Sequence, residues 1–239
     1  MPKKSIIINF FLICIAVISS MSIYNQSYVD KDYSKIDLTK TNKLMIVAHP
    51  DDEMIFGGAH LLSDDYLVVC VTCGLNKVRV NEFQRVMKET NDQFIMLGYP
   101  DKVLNIRSNW KDEKNQIYED ISKIISLKNW DTIVTHNFNG EYGHLHHRLL
   151  NQIVTDVYND LNRTDDLYFF GKYYTKSKLS MISMKPAKID SKLYKEKVRI
   201  IELYKSQNFI KERFGHMFPY EEWTKYDNIV SYDRGLYEK

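Results

Sequence analysis

Three cysteines in 239 residues leave this chain without a disulfide framework, so its fold has to rest on a hydrophobic core. Cys14 falls in an apolar N-terminal run and lacks the small residue expected just before a lipid-modified cysteine. Cys70 and Cys73 form a C-x-x-C inside a strand-like stretch, where a rise of about 3.3 Å per residue would set their Cα atoms about 10 Å apart. A disulfide needs less than about 7 Å, so a redox role is excluded unless the strand ends early. An excess of one charge is missing as well: 33 basic against 31 acidic residues give a net +2, and no basic field argues for nucleic acid. No internal repeat or low-complexity tract is present. No G-x-G-x-x-G follows the first strand, and Gly57-Gly58 comes too late to serve, which argues against a dinucleotide-binding protein.

What is present suffices for one α/β domain with a full core, since 44% of the residues are hydrophobic. The 17 tyrosines and 11 phenylalanines are expected mainly in packing, with a sugar-stacking surface as the alternative. Lys3 and Lys4 precede an apolar run from Ile6 to Ile18 and a softer stretch to Ile23. Residues 1–23 read as a secretory signal or uncleaved anchor, at the lower length limit for crossing a bilayer. That places the remainder outside the cytoplasm, membrane-anchored or secreted. Residues 24–42 are polar and read as a linker, and 43–239 as the folded domain. Strand-like runs at 44–48, 66–72, 132–135 and 167–174 alternate with helix-like runs at 54–62, 79–97, 117–127, 149–161 and 193–204. Val103-Leu104 reads as a short strand, and residues 209–239 resist assignment. This alternation predicts a Rossmann-like, mostly parallel sheet with helices on both faces.

Two clusters carry chemistry. Ala48-His49-Pro50-Asp51-Asp52-Glu53 follows the first strand directly, and the end of a parallel strand is where α/β proteins place their sites. The second cluster, Asn139 to His147, follows the 132–135 strand and opens a helix, with His144 and His147 three residues apart on one face. His146 is expected to point elsewhere, and His136 to pack at the strand end. Two imidazoles and a carboxylate with an open position for water form a catalytic zinc arrangement, and the spare carboxylate supplies a base. Asp51 or Asp52 as a simple helix N-cap is the competing reading. His60 reads as a surface or core residue, and His216 as a candidate lining residue of a substrate pocket.

Together, the hexapeptide and Gly143-His144-x-x-His147 resemble the PIG-L/LmbE family of zinc-dependent N-acetylglucosaminyl de-N-acetylases. The resemblance also takes in Gly57-Gly58, Arg79-x-x-Glu82 and Tyr204-x-Ser206-Gln207, and so covers residues 43–207. It implies that His49, Asp52 and His147 hold zinc and that Asp51 is the general base. His144 would stabilise the oxyanion or protonate the leaving amine, Tyr142 would help bind the oxyanion, and Arg79 would sit near the substrate. Many bacterial members carry Pro and Asp between the two histidines, where this chain has Leu145 and His146, so support for His144 must come from elsewhere. The implied substrate is an N-acetylglucosamine-containing glycan or glycoconjugate. The alternatives are a small glucosaminyl conjugate, a glycosylphosphatidylinositol precursor, or a non-catalytic metal- or carbohydrate-binding module.

Overall fold

The computed structural model describes Tyr33 and residues 36–227. Among the described residues the main sheet has six strands: β1 (Lys43–Val47), β2 (Tyr66–Thr72), β3 (Gln93–Tyr99), β6 (Thr132–Thr135), β7 (Asp166–Phe170) and β8 (Trp223–Lys225). Their order is β3-β2-β1-β6-β7-β8, all parallel except the last, which runs antiparallel to β7. Between them run helices α1 (Asp52–Leu61), α2 (Lys77–Thr90), α3 (Lys114–Ile125), α4 (Leu145–Asp160), α5 (Lys176–Met181), α6 (Ser191–Ile201) and α7 (Ile210–Phe214). A separate hairpin joins β4 (Lys102–Val103) to β5 (Ile106–Arg107).

Strand alternation sorts the core into two layers. Leu44, Ile46 and Ala48 of the first strand join Leu67, Val69 and Val71 against α3 and α4. Met45 and Val47 point the other way and join Val68, Phe83, Val86 and Ile200 against α1, α2 and α6. A sheet buried on both faces needs near-continuous apolar strands, and YLVVCVT in β2 is buried at every position. The chain turns left from β1 to β2 and β3, then crosses to β6 on the other side of β1. The crevice between the C-terminal ends of β1 and β6 is therefore the topological switch point, where open α/β sheets bind ligands.

One helix expectation needs correction. The run 79–97 is not one helix: α2 ends at Asn91 in the left-handed conformation (φ 63°), and 93–99 continues as β3. Phe94 and Leu97 fit a helical spacing, but the asparagine stop precedes them. Val103 belongs to a hairpin whose apex residues Leu104 and Asn105 both have positive φ. Gly57 and Gly58 face different neighbours: a Cβ on Gly57 would meet Met45 of β1 at 2.7 Å, whereas one on Gly58 would meet Lys197 of α6 at 3.0 Å. Of the segment read as a linker, Ile36 and Leu38 pack against the core. The N-terminal segment 1–23 lies outside the described residues, and among the described residues no helix is long and apolar enough to cross a membrane. Cys70 and Cys73 are both free thiols.

At the far end of the sheet, a buried ion pair joins Lys197 of α6 to Glu221 at 2.6 Å, just before β8. Glu221 also accepts from the Ala59 amide at 2.8 Å and meets His60 Nδ1 at 2.9 Å, so it clasps the end of α1. The His60 ring stacks on Trp223.

Asp92 tests the energetics of the turn into β3. Its Oδ1 accepts from the Tyr66 amide at 2.7 Å, while Oδ2 is buried without a hydrogen bond. Burial pushes the carboxyl up from 3.8 to about 7. The folded chain thus keeps a proton that the unfolded chain has already released, so this group's contribution to stability falls as pH rises between about 4 and about 7. Asp92→Asn is expected to flatten that limb, with the variant's urea midpoint gaining on wild type at about pH 8 relative to about pH 4.

Candidate metal and catalytic site

Asp51 occupies the N-cap position of α1, but its side chain makes no cap hydrogen bond, and its φ of 114° is one that L-residues seldom adopt. Such a backbone costs on the order of 1–3 kcal/mol and persists only when its surroundings hold it. They do so here from both sides. Asp51 Oδ2 accepts from Arg79 Nη2 at 2.9 Å, and Glu53 Oε2 accepts from the Asp51 amide at 3.0 Å. Arg79 also donates to the Pro50 carbonyl, to Glu82 at 3.1 Å and to Ser206 at 3.3 Å. The Tyr204 hydroxyl donates to the other oxygen of Glu53. The strained turn aims one carboxylate, Asp51, away from capping and into the cleft.

The second loop leaves β6 through His136 and Asn137 and turns at Gly140 and Glu141, both at positive φ. Glu141 is buried and organises the loop: Oε1 accepts from the Asn137 amide at 2.7 Å and lies 3.2 Å from His136 Nδ1, while Oε2 meets His147 Nδ1. With its Nδ1 proton given to Glu141, His147 presents a lone pair at Nε2. That atom is buried without a hydrogen-bond partner, 3.3 Å from Asp52 Oδ2. His49 Nδ1 lies 3.1 Å from the same oxygen, which also accepts from the His49 amide at 2.9 Å. His136 Nε2 accepts from the Ala48 amide at 2.9 Å and so ties the two loops together.

These donors fit a divalent metal. A bare imidazole nitrogen and a carboxylate oxygen, both acceptors, face each other in a buried site, and a cation between them removes the conflict. Two imidazoles and one carboxylate are a zinc-type set, with Glu141 acting as the outer partner that fixes the His147 tautomer. Burial disfavours charge on His49, but Asp101 and Asp52 outweigh it and raise its pKa to about 10.

The cleft beside this set has a volume of about 480 Å³, and His49, Asp51, Asp52, Arg79, Tyr142 and His144 all line it. Burial, with Asp52 adding to it, lifts the Asp51 carboxyl to about 7 against the opposing pull of Arg79 and His49. Asp51 is thereby poised to exchange a proton near neutrality. Burial pushes the Glu53 carboxyl up to about 8 despite its hydrogen bond from Tyr204. His144 is driven towards its neutral form by burial and by His147 and His49, and its Nδ1 has no hydrogen-bond partner. Tyr142 lies 5.8 Å from the His144 ring and 5.6 Å from that of His147, with Arg213 over its face.

Two expectations fail here. His216 does not line the cleft; its Nε2 lies 2.7 Å from the Tyr174 carbonyl, which fixes the ring against the loop after β7. His146 does not point elsewhere: its Nδ1 comes within 3.0 Å of His49 Nε2. His144 precedes α4 in an extended conformation, so the helical spacing that separates His146 from the pair begins only after it. Sequence reasoning also missed Glu141 and Asp101, lone acids in loops with no spacing to mark them.

A mostly parallel sheet with a His and carboxylate cluster at its switch point defines a Rossmann-like α/β protein with a candidate metal site. The family model described as GlcNAc-PI de-N-acetylase (PIG-L) matches residues 44–158. The chain is also 31% identical to an uncharacterized protein of Acanthamoeba polyphaga mimivirus, over 78% of this chain and 92% of that one. It belongs to the PIG-L family. Its fold is similar to that of the N,N′-diacetylchitobiose deacetylase from Pyrococcus horikoshii (TM-score 0.60, 14% identity, 83% of this chain and 89% of that one). The 4-carboxy-2-hydroxymuconate hydratase from Pseudomonas putida is similar as well (TM-score 0.55, 12% identity, 74% and 84%). One fold thus carries different named reactions, and the chemistry has to be argued from the residues.

Glu141→Gln removes the carboxylate that holds His136, Asn137 and His147 at once. Unfolding in urea is expected to show a loss of about 3–5 kcal/mol, the usual cost of deleting one partner from a buried charged network.

Proposed function

We propose that this protein is a zinc-dependent hydrolase that removes the N-acetyl group from an N-acetylglucosamine-containing glycan or glycoconjugate. The observation that carries this reading is the unpartnered His147 Nε2 beside Asp52 and His49, with a second carboxylate, Asp51, poised near neutrality in the same cleft. His49 Nδ1, Asp52 and His147 Nε2 would hold the metal. When bound there, zinc would supply Lewis acidity, acidifying a water and polarising the acetyl carbonyl.

The remaining work falls to the chain. Asp51, held by Arg79, accepts the proton of the attacking water. Tyr142 and His144 flank the position of the developing oxyanion, and a neutral imidazole or phenol donates to it without first giving up charge. Expulsion of the amine requires a proton, which the newly protonated Asp51 returns. Membership of the PIG-L family supports the amino-sugar substrate. The Lys3-Lys4 and apolar pattern of residues 1–23 supports a domain outside the cytoplasm, anchored or secreted.

Asp51→Asn is expected to reduce acetate release from N-acetylglucosamine conjugates by roughly 10²–10⁴-fold, the range for loss of a general base, with zinc content unchanged. Wild-type rates in that variant would show that another group is the base. Arg79→Gln removes the cation that lowers the Asp51 pKa. The acidic limb of the kcat/KM profile is then expected to move to higher pH, and an unmoved limb would exclude Asp51 as its source.

A further inference from the structure

His146 is fully buried, with its ring parallel to Trp110 at 4.2 Å between centroids. The platform is itself pinned, since Trp110 Nε1 donates to the Pro100 carbonyl at 2.8 Å. His146 Nε2 lies 2.7 Å from the Ser108 carbonyl oxygen. A carbonyl only accepts, so Nε2 carries the ring proton and Nδ1 presents a lone pair. That lone pair lies 3.0 Å from Nε2 of His49, whose other nitrogen faces Asp52.

Proton accounting then decides what His146 does. A neutral His49 that gives Nδ1 to a metal keeps its one proton on Nε2, aimed at His146 Nδ1. Every donor from His49 through His146 to Ser108 then meets an acceptor. A competing arrangement is a second cation held by His49, His144 and His146, whose ligand atoms lie within 4.8 Å of one another. It would require His49 to surrender its last ring proton, because Nδ1 is already committed. Asp101 Oδ1, 3.5 Å from His49 Nε2 and 3.6 Å from His146 Nδ1, adds negative charge that favours keeping that proton.

We propose that His146 is a positioning residue for the metal ligand His49, accepting its Nε2 proton and so fixing its tautomer and ring angle. This inference rests on the metal reading given above. It assigns a role to a side chain at a position where many bacterial members of the family carry Asp.

The test compares His146→Leu with His146→Asn in the full-length protein. Asparagine keeps an acceptor oxygen where Nδ1 stood, whereas leucine fills space without one. Zinc affinity is read by chelator competition, the ligand field by visible absorption of the cobalt-substituted protein, and folding by thermal unfolding without metal. His146→Leu is expected to weaken zinc binding roughly 10–100-fold and to shift the cobalt bands, and His146→Asn to recover most of the affinity. Leucine binding zinc as tightly as wild type would overturn the proposal, and so would asparagine binding it as weakly as leucine. Two zinc ions per wild-type chain, falling to one in His146→Leu, would replace the hydrogen bond with a second cation site. A wild-type chain that binds no zinc would instead refute the metal reading itself.

Discussion

The parallel pairing of β1 with β6 is the constraint on which the rest of the site depends. Ile46 registers with Thr135, so the two strands end level and release their loops side by side. The Ala48 amide then reaches His136, and Asp52 comes within 3.3 Å of His147, although 95 positions separate them in the chain. A register shift of one residue would turn the apolar faces of the strand inside out, and the core on both faces forbids it. The placement of the clustered His and Asp side chains is thus set by the packing of Leu44, Met45, Ile46 and Val47, which carry no chemistry themselves.

Two adjacent carboxylates are driven apart by their surroundings. Asp52 faces imidazole nitrogens and a backbone amide, whereas Asp51 is buried with one guanidinium for company. Burial is common to both; the difference lies in what each oxygen meets. The strained backbone at Asp51 creates that difference, because a normal N-cap would have turned its side chain back to the helix amides. Glu53 and Tyr204 hold the strain from beneath, which explains why a fully buried carboxyl with no contact to the cleft is kept there.

Much of this was legible in the sequence, and the misses have physical causes. The strands β1, β2 and β6 announce themselves as apolar runs, and the loops after them as polar clusters, because a sheet buried on both faces cannot hide such a contrast. β3 resists separation from the preceding helix because Phe94 and Leu97 stand at a helical spacing, and Asn91 marks the break. Glu141 and Asp101 were invisible because their importance lies in distances across loops. The helical spacing that would turn His146 away fails for a related reason: His144 is extended, and the helix begins only after it. His216 shows the converse, since an aromatic-rich loop near the cleft is not the same as a cleft wall.

The clasp of Glu221 on Lys197 and on the end of α1 has a consequence for how the protein is made. The helix that bears Asp52 is fastened at its far end by Glu221, 162 positions after the Ala59 amide that it accepts from. Until that residue emerges, Lys197 has no anion to meet, and a positive charge bound for the interior stays in water. The N-terminal half of α1 is therefore synthesised early but secured late. Vectorial synthesis orders this site from its strand ends outward, with the Glu221 clasp following α1 and α6.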